Sequence, residues 1–241
     1  MTMDNPAIHA LLPAAGKGQR FGDALLKQYA PVAGQPVLLH AIDILRSEPR
    51  ITGITVVLSE DDESFQETVG NRYPEVRTAP GGSTRARSVL NGLEAIRQHD
   101  PGAQWVLVHD AARPCLPRDC LRRLLRQGLE QPDGAILAIP VRDTLKLSDG
   151  DGRIADTVSR EELWLAQTPQ LFPLDRLISA MADALEAGHS PTDEAAAMER
   201  AGARPALVMG SPANVKITYP DDIDFVELWL SNRDRPVEDF E

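Results

Sequence analysis

The sequence predicts an α/β fold built on a mostly parallel sheet with helices on both faces. Two observations carry this prediction. Short apolar runs of strand length, at residues 7–12, 53–59, 104–109 and 134–139, alternate with segments at 37–48, 61–69, 83–97 and 117–130. The latter carry apolar residues at three- and four-residue spacing. Such alternation implies strands joined by crossover helices. The strand runs are also continuously apolar, as a sheet covered on both sides requires.

Taken in order, the first run leads into Pro13 and a loop containing Gly16 and Gly18. Each later run likewise ends in small, polar or proline residues, which stop strands. Past Ile139 the pattern changes. Residues 140–161 are polar, yet they alternate around Asp149-Gly150-Asp151-Gly152, which reads as an extended β-hairpin arm. An arm too polar for a core packs on another surface, so a second copy of the chain is the expected partner. A strand at 163–168 and helices at 174–187 and 192–201 follow. Short strands at 205–209 and 215–217 come next, then a last helix from 219 to about 230. We expect a single domain over 1–231, with 140–161 as a dimerisation arm and 232–241 as a flexible tail. With ten residues after that domain, a fused second catalytic domain is not expected.

Charge narrows the function. The 241 residues carry a formal net charge of -11, opposite in sign to the surplus of a nucleic-acid binder. Hydrophobic residues make up 42% and aromatics only 5%, so the core is expected to be aliphatic. Cys115 and Cys120 lack partners at zinc-ligand spacing, and neither a structural zinc nor a disulfide framework is implied. The start of the chain has no signal-like segment, and no stretch approaches a membrane span. The expected setting is cytoplasmic, with no membrane and no nucleic-acid partner.

Three segments carry chemistry. The loop Ala14, Ala15, Gly16, Lys17, Gly18 leaves the carboxyl end of the first strand, followed by Arg20 and Lys27. Loops in this position bind nucleotides in parallel α/β sheets, and their exposed N–H groups cradle phosphates. The loop matches neither the dinucleotide G-x-G-x-x-G pattern nor a Walker A loop. The segment Gly81-Gly82-Ser83-Thr84 precedes a helix whose capped N-terminus can face a base or an anion. Asp110 follows the third apolar run, among the small residues Ala111 and Ala112. A carboxylate there suits Mg²⁺, which favours one or two carboxylates plus substrate phosphates. His109 reads as a hydrogen-bonded structural histidine rather than a base.

The order PAAGxGxR…KQY, GGxxRxxSV, VHDAARP, PVxDT, TPQ, TDEA and NxKxT resembles the 2-C-methyl-D-erythritol 4-phosphate cytidylyltransferase family, from about Pro13 to Tyr219. The first motif is shared by many nucleotidyltransferases, whereas VHDAARP with TPQ and TDEA is much more specific. The resemblance implies a Rossmann-like nucleotidyltransferase fold and transfer of CMP from CTP to a small alcohol phosphate. It implies that Ala14, Ala15, Gly16, Lys17 and Gly18 hold the triphosphate and ribose, and that Gly82, Ser83 and Ser88 sit against cytosine. Arg20 and Lys27 would stabilise charge at the α-phosphate, and Lys216 would reach phosphate. Asp110 would bind Mg²⁺ and approach a substrate hydroxyl, while Arg113 and Thr168 would contact the acceptor. Thr144 and Arg160, on the arm, would grip the acceptor phosphate across a homodimer interface.

Two positions depart from the family pattern. Ser83 stands where the family usually has an acid, and Leu26 where it often has proline. The rivals are a ribitol 5-phosphate cytidylyltransferase, which shares the loop and the Asp, and a non-catalytic nucleotide-binding protein, which would not need Arg20, Lys27 and Asp110 together.

Overall fold

The computed structural model describes residues 6–16 and 26–232. In chain order its strands and helices are β1 (Ile8–Pro13), β2 (Pro31–Val32), β3 (Gln35–Pro36), α1 (Val37–Arg46), β4 (Ile51–Leu58), β5 (Arg77–Pro80), α2 (Arg85–His99), β6 (Trp105–Val108), α3 (Arg118–Gly128), β7 (Ala135–Pro140), β8 (Leu145–Ser148), β9 (Ile154–Val158), β10 (Trp164–Pro173), α4 (Leu174–Glu186), α5 (Glu194–Arg200), β11 (Ala206–Met209) and α6 (Asp222–Asn232). A 3-10 turn, Lys27–Tyr29, precedes β2.

Seven strands form one sheet in the order β11-β7-β10-β6-β1-β4-β5. β10 runs antiparallel to both neighbours, β6 and β7, and the remaining pairs are parallel. Strand alternation divides the core between two faces. Ile8, Ala10 and Leu12 of β1 pack with Leu38 and Ile42 of α1 and Leu121 and Leu124 of α3. Leu11 points the other way, into a cluster with Val89 and Leu93 of α2, Leu177 of α4 and Met198 of α5. The mostly parallel, two-sided sheet expected from the apolar runs is present. Among the described residues no helix is long and apolar enough to cross a membrane.

The arm is a separate antiparallel ladder of β8 and β9, with Gly150 and Gly152 at positive φ in its turn. β9 is exposed along its whole length.

Four expectations change. Residues 61–69 do not form a regular helix but a single π-helical turn, Gln66–Gly70. Asp62 accepts hydrogen bonds from the N–H groups of Ser64 and Phe65, while Phe65 and Val69 are its buried apolar residues. That apolar stripe is too small to hold several turns. β5 was not legible, because as an edge strand it buries only Ala79. Residues 215–217 make no ladder. Ile217 is buried against Val226 and Leu230 of α6 and donates one backbone hydrogen bond to the Ala112 carbonyl, so its apolar character reports anchoring rather than pairing. Finally, the strand expected at 163–168 extends to Pro173. Its pairing with β7 shifts register between Ala166 and Gln170, around Pro169, a residue that cannot donate to a ladder.

One buried polar group in β1 has a measurable consequence. His9 shares hydrogen bonds with Asp100 (3.0 Å) and Thr55 (2.9 Å). Burial pushes its imidazole pKa below the usual 6.5, against the opposing pull of Asp100. Between the folded value and about 6.5 the unfolded chain binds more protons. Stability contributed by neutral His9 is complete above about pH 6.5 and falls as pH drops, by at most about 1.4 kcal/mol per pH unit. An NMR titration of the His9 imidazole should give a midpoint below that of a free histidine. A midpoint at or above 6.5 contradicts this account.

Candidate active site

β1 sits where the strand order turns, with β4 on one side and β6 on the other. Open α/β sheets place ligands at such a switch point, outside the carboxyl ends of the strands. Here a cavity of about 970 Å³ opens there, lined by residues that include Ala14, Ala15, Gly16, Lys27, Gly82, Ser83, Arg85, Ser88, Asp110 and Lys216.

Local hydrogen bonds shape its walls. The Ala14 N–H donates to the Val57 carbonyl, continuing the β1–β4 ladder past the strand end. The buried Gln28 side chain donates to the Ala14 carbonyl at 2.9 Å, tying the turn that bears Lys27 to this loop. Leu26, at φ -63°, has the backbone angle a proline would impose there. On the opposite wall, the Gly82 N–H donates to the Ser88 hydroxyl at 2.9 Å, and that hydroxyl donates to the Thr84 carbonyl. Thr84 caps α2 by accepting from the Arg87 N–H. A Cβ on Gly81 would lie 2.5 Å from the Ala15 Cβ, so only glycine lets the two loops approach this closely.

Asp110, just past the end of β6, is the electrostatic centre. Lys216 Nζ lies 2.7 Å from its Oδ2, Arg85 Nη2 3.2 Å from its Oδ1, and Arg113 Nε 3.7 Å from Oδ2. Burial alone would raise the Asp110 pKa, but Arg85, Lys216 and Arg113 outweigh it and hold the carboxyl well below the usual range. Arg85 also meets Glu194, the first residue of α5, at 2.7 Å. Glu194 is fully buried, which pushes its pKa up, while Arg85 pulls it back.

Behind Asp110 lies a satisfied polar chain. His109 Nε2 faces the Arg113 carbonyl at 3.1 Å, and an acceptor there makes Nε2 the protonated nitrogen. Nδ1 then accepts from the Thr168 hydroxyl at 3.0 Å, whose oxygen accepts from the Asp110 N–H at 2.9 Å. Burial drives the imidazole pKa down to about 4. Both nitrogens are engaged, Nε2 with the Arg113 carbonyl and Nδ1 with the hydroxyl that holds the Asp110 N–H, as a structural histidine's should be.

The residues expected from sequence fall into four groups. Ala14, Ala15, Gly16, Lys27, Gly82, Ser83, Ser88, Asp110 and Lys216 converge on the one cavity. Thr168 and Arg113 instead stand behind Asp110. Thr168 is buried, and Arg113 donates to the Asn214 carbonyl at 2.6 Å. Thr144 and Arg160 lie on the exposed arm, where Arg160 donates to the Arg142 carbonyl. Lys17, Gly18 and Arg20 lie outside the described residues. Arg85, Gln28 and Glu194 were missed as site residues, although each stands in a motif: GGxxRxxSV, KQY and TDEA.

The donor set also tests the fit of a metal. Among the described residues no group of three His, Cys, Asp or Glu side chains could hold one. Asp110 offers a single carboxylate facing the cavity. Such a donor fits Mg²⁺ that arrives with a triphosphate, which supplies its other oxygens.

Comparison with known proteins agrees with this geometry. The family model for IspD, 2-C-methyl-D-erythritol 4-phosphate cytidylyltransferase, matches residues 8–232. A protein of that name from Stenotrophomonas maltophilia is 50% identical over 227 residues, covering 94% of this chain and 98% of its own. One from Shewanella oneidensis is 47% identical over 223 residues, covering 92% and 88%. A crystal structure of 4-diphosphocytidyl-2C-methyl-D-erythritol synthase superposes with a TM-score of 0.81 at 40% identity, covering 93% of this chain and 98% of its own. The Thermus thermophilus 2-C-methyl-D-erythritol 4-phosphate cytidylyltransferase structure gives 0.77 at 30%, covering 93% and 99%. With the family model matching residues 8–232 and a relative 50% identical over nearly the whole length, the chain belongs to the 2-C-methyl-D-erythritol 4-phosphate cytidylyltransferase family.

Proposed function

We infer that this chain transfers CMP from CTP to 2-C-methyl-D-erythritol 4-phosphate, giving 4-diphosphocytidyl-2-C-methyl-D-erythritol and pyrophosphate, a step of non-mevalonate isoprenoid biosynthesis. The observation that carries the reading is the convergence of Lys27, Lys216, Asp110 and the loop bearing Ala15 and Gly16 on one cavity at the switch point. An acidic protein that binds two polyanions needs such a local concentration of cations and fixed dipoles.

An oxygen of the acceptor phosphate attacks the α-phosphorus of CTP, and the bond to the pyrophosphate oxygen breaks. That phosphate is already anionic near neutral pH, with a second pKa of about 6, so no general base is needed. The engaged and neutral state of His109 accords with this. The loop of Ala14, Ala15, Gly16, Lys17 and Gly18 holds the triphosphate and ribose. Gly82, Ser83 and Ser88 hold the base. Lys27 and Arg20 stabilise the charge that builds at the α-phosphate, and Lys216 orients the incoming phosphate. Asp110 would hold Mg²⁺, whose chemistry is to neutralise charge on the phosphates. Arg113 and Thr168 fix Asp110 and lie close to the acceptor's place.

Thr144 and Arg160 reach the acceptor phosphate from a second copy of the chain. Support for a homodimer comes from the arm, where Leu147, Ile154 and Val158 are 56%, 67% and 39% exposed, an apolar surface left open within one chain. The setting is cytoplasmic, where both substrates are made available to a chain with no membrane-spanning helix among its described residues.

The test is pyrophosphate release from CTP and Mg²⁺ with either 2-C-methyl-D-erythritol 4-phosphate or ribitol 5-phosphate as acceptor. The first should be favoured by at least about tenfold in kcat/KM. Preference for ribitol 5-phosphate would transfer the assignment to that substrate, and no release with either would sink the enzymatic reading.

A further inference from the structure

Glu194 is a fully buried carboxylate beside this site, and the proposed reaction gives it no role. Among the described residues its ion-pair partner is Arg85, which faces two acids at once. Nη1 lies 2.7 Å from Glu194 Oε1. Nη2 is divided, 3.4 Å from Glu194 Oε2 and 3.2 Å from Asp110 Oδ1. The stronger contact is with Glu194, and the weaker with the carboxylate that faces the cavity.

Glu194 is held in place by its surroundings. It opens α5, whose cap is Asp193, accepting from the Ala196 N–H at 2.9 Å. Gln170 of β10 donates to Asp193 at 2.8 Å and accepts from the Ala195 N–H at 2.9 Å. The backbone that bears Glu194 is therefore anchored, and in this position its carboxylate draws Arg85 Nη1 away from Asp110.

We propose that Glu194 is a positioning residue acting through Arg85: it restrains the guanidinium from closing fully on Asp110 and so keeps Oδ1 available to a divalent cation carried by the triphosphate. Three cations, Arg85, Arg113 and Lys216, surround Asp110 within 4 Å. Without the negative charge of Glu194, Arg85 has one carboxylate left to face, and a bound cation must displace a fully committed guanidinium. Groups that orient a metal ligand typically change metal affinity by about 10–100-fold when removed.

This inference rests on the reading of Asp110 as the cation ligand, and the experiment separates the two. Mn²⁺ binding is titrated by electron paramagnetic resonance with CTP and no acceptor, above the binding of CTP alone, so that no turnover enters. Four proteins are compared, the wild type, Asp110→Asn, Glu194→Gln and Arg85→Met/Glu194→Gln. Circular dichroism checks that each is folded. The expected result is a loss of Mn²⁺ affinity of about tenfold or more in Glu194→Gln, with recovery to within about threefold of wild type in the double variant. Recovery is the decisive part, because removing Arg85 removes the competitor, whereas a merely structural Glu194 would leave the double variant as weak as the single one. Wild-type affinity in Glu194→Gln, or no recovery in the double variant, overturns the proposal while leaving Asp110 as the ligand. Wild-type affinity in Asp110→Asn overturns both.

Discussion

Lys27→Ala should lower kcat by about 10²–10³-fold while changing KM for CTP by less than about tenfold. The asymmetry follows from where the residue is held. Lys27 begins a 3-10 turn whose next two residues are both anchored. Gln28 donates to the Ala14 carbonyl, and the Tyr29 hydroxyl donates to the Asp62 carboxylate, with 2.9 and 2.8 Å to its two oxygens. Lys27 thus lines the cavity from a turn fixed to the loop that bears Ala14. A cation so placed gains most when negative charge rises at the α-phosphate during transfer. On the proposed reading the loop would still hold the triphosphate in the ground state, so affinity is expected to survive. Steady-state kinetics with CTP varied at saturating acceptor measure the split. A rise in KM with kcat untouched would assign Lys27 to ground-state binding instead. Arg20→Ala should behave in the same direction.

Mixing Arg160→Ala protein with Asp110→Asn protein should restore activity that neither variant has. Each alone is expected to be severely impaired, the first through a large rise in KM for the acceptor phosphate and the second through loss of turnover. If the arm serves the neighbouring site, a mixed dimer contains one site with both Asp110 and Arg160 intact. Random reassortment makes half of all dimers mixed, so about one quarter of wild-type activity should return. The arm's geometry motivates the test. Its strands pair only with each other, and its apolar side chains Leu147, Ile154 and Val158 are left exposed. Activity that stays at the sum of the two variants after subunit exchange would mean that Arg160 acts within its own chain or not at all.

Much of this molecule was legible before any coordinates. The strand runs gave the parallel sheet because burial on both faces demands mostly apolar residues, and β1, β4, β6 and β7 meet that demand with His9 and Thr55 as buried polar exceptions. The turn residues Gly150 and Gly152 marked the arm because positive φ favours glycine. The loops carrying Gly16 and Asp110 were visible because each follows an apolar strand run, and the one carrying Gly82 because two glycines precede a capped helix. Where the reading failed, local signal misled. Residues 61–69 had helical spacing but little apolar surface to bury, β5 was an edge strand with one buried residue, and β10 continued past a proline that would ordinarily end a strand.

The sequence by itself determined the layered sheet, the order of the loops and the kinds of group that meet an anion, since each is written in spacing along one short segment. Only the tertiary structure decided which charges face one another. Arg85 and Glu194 are 109 residues apart, and Lys216 approaches Asp110 from beyond the last strand of the sheet. Periodicity reports which face of an element is buried. It carries no information about which distant charge will be buried with it, because that pairing is set by the packing of α5 and the 210–218 segment onto strand ends whose order in the sheet differs from their order in the chain.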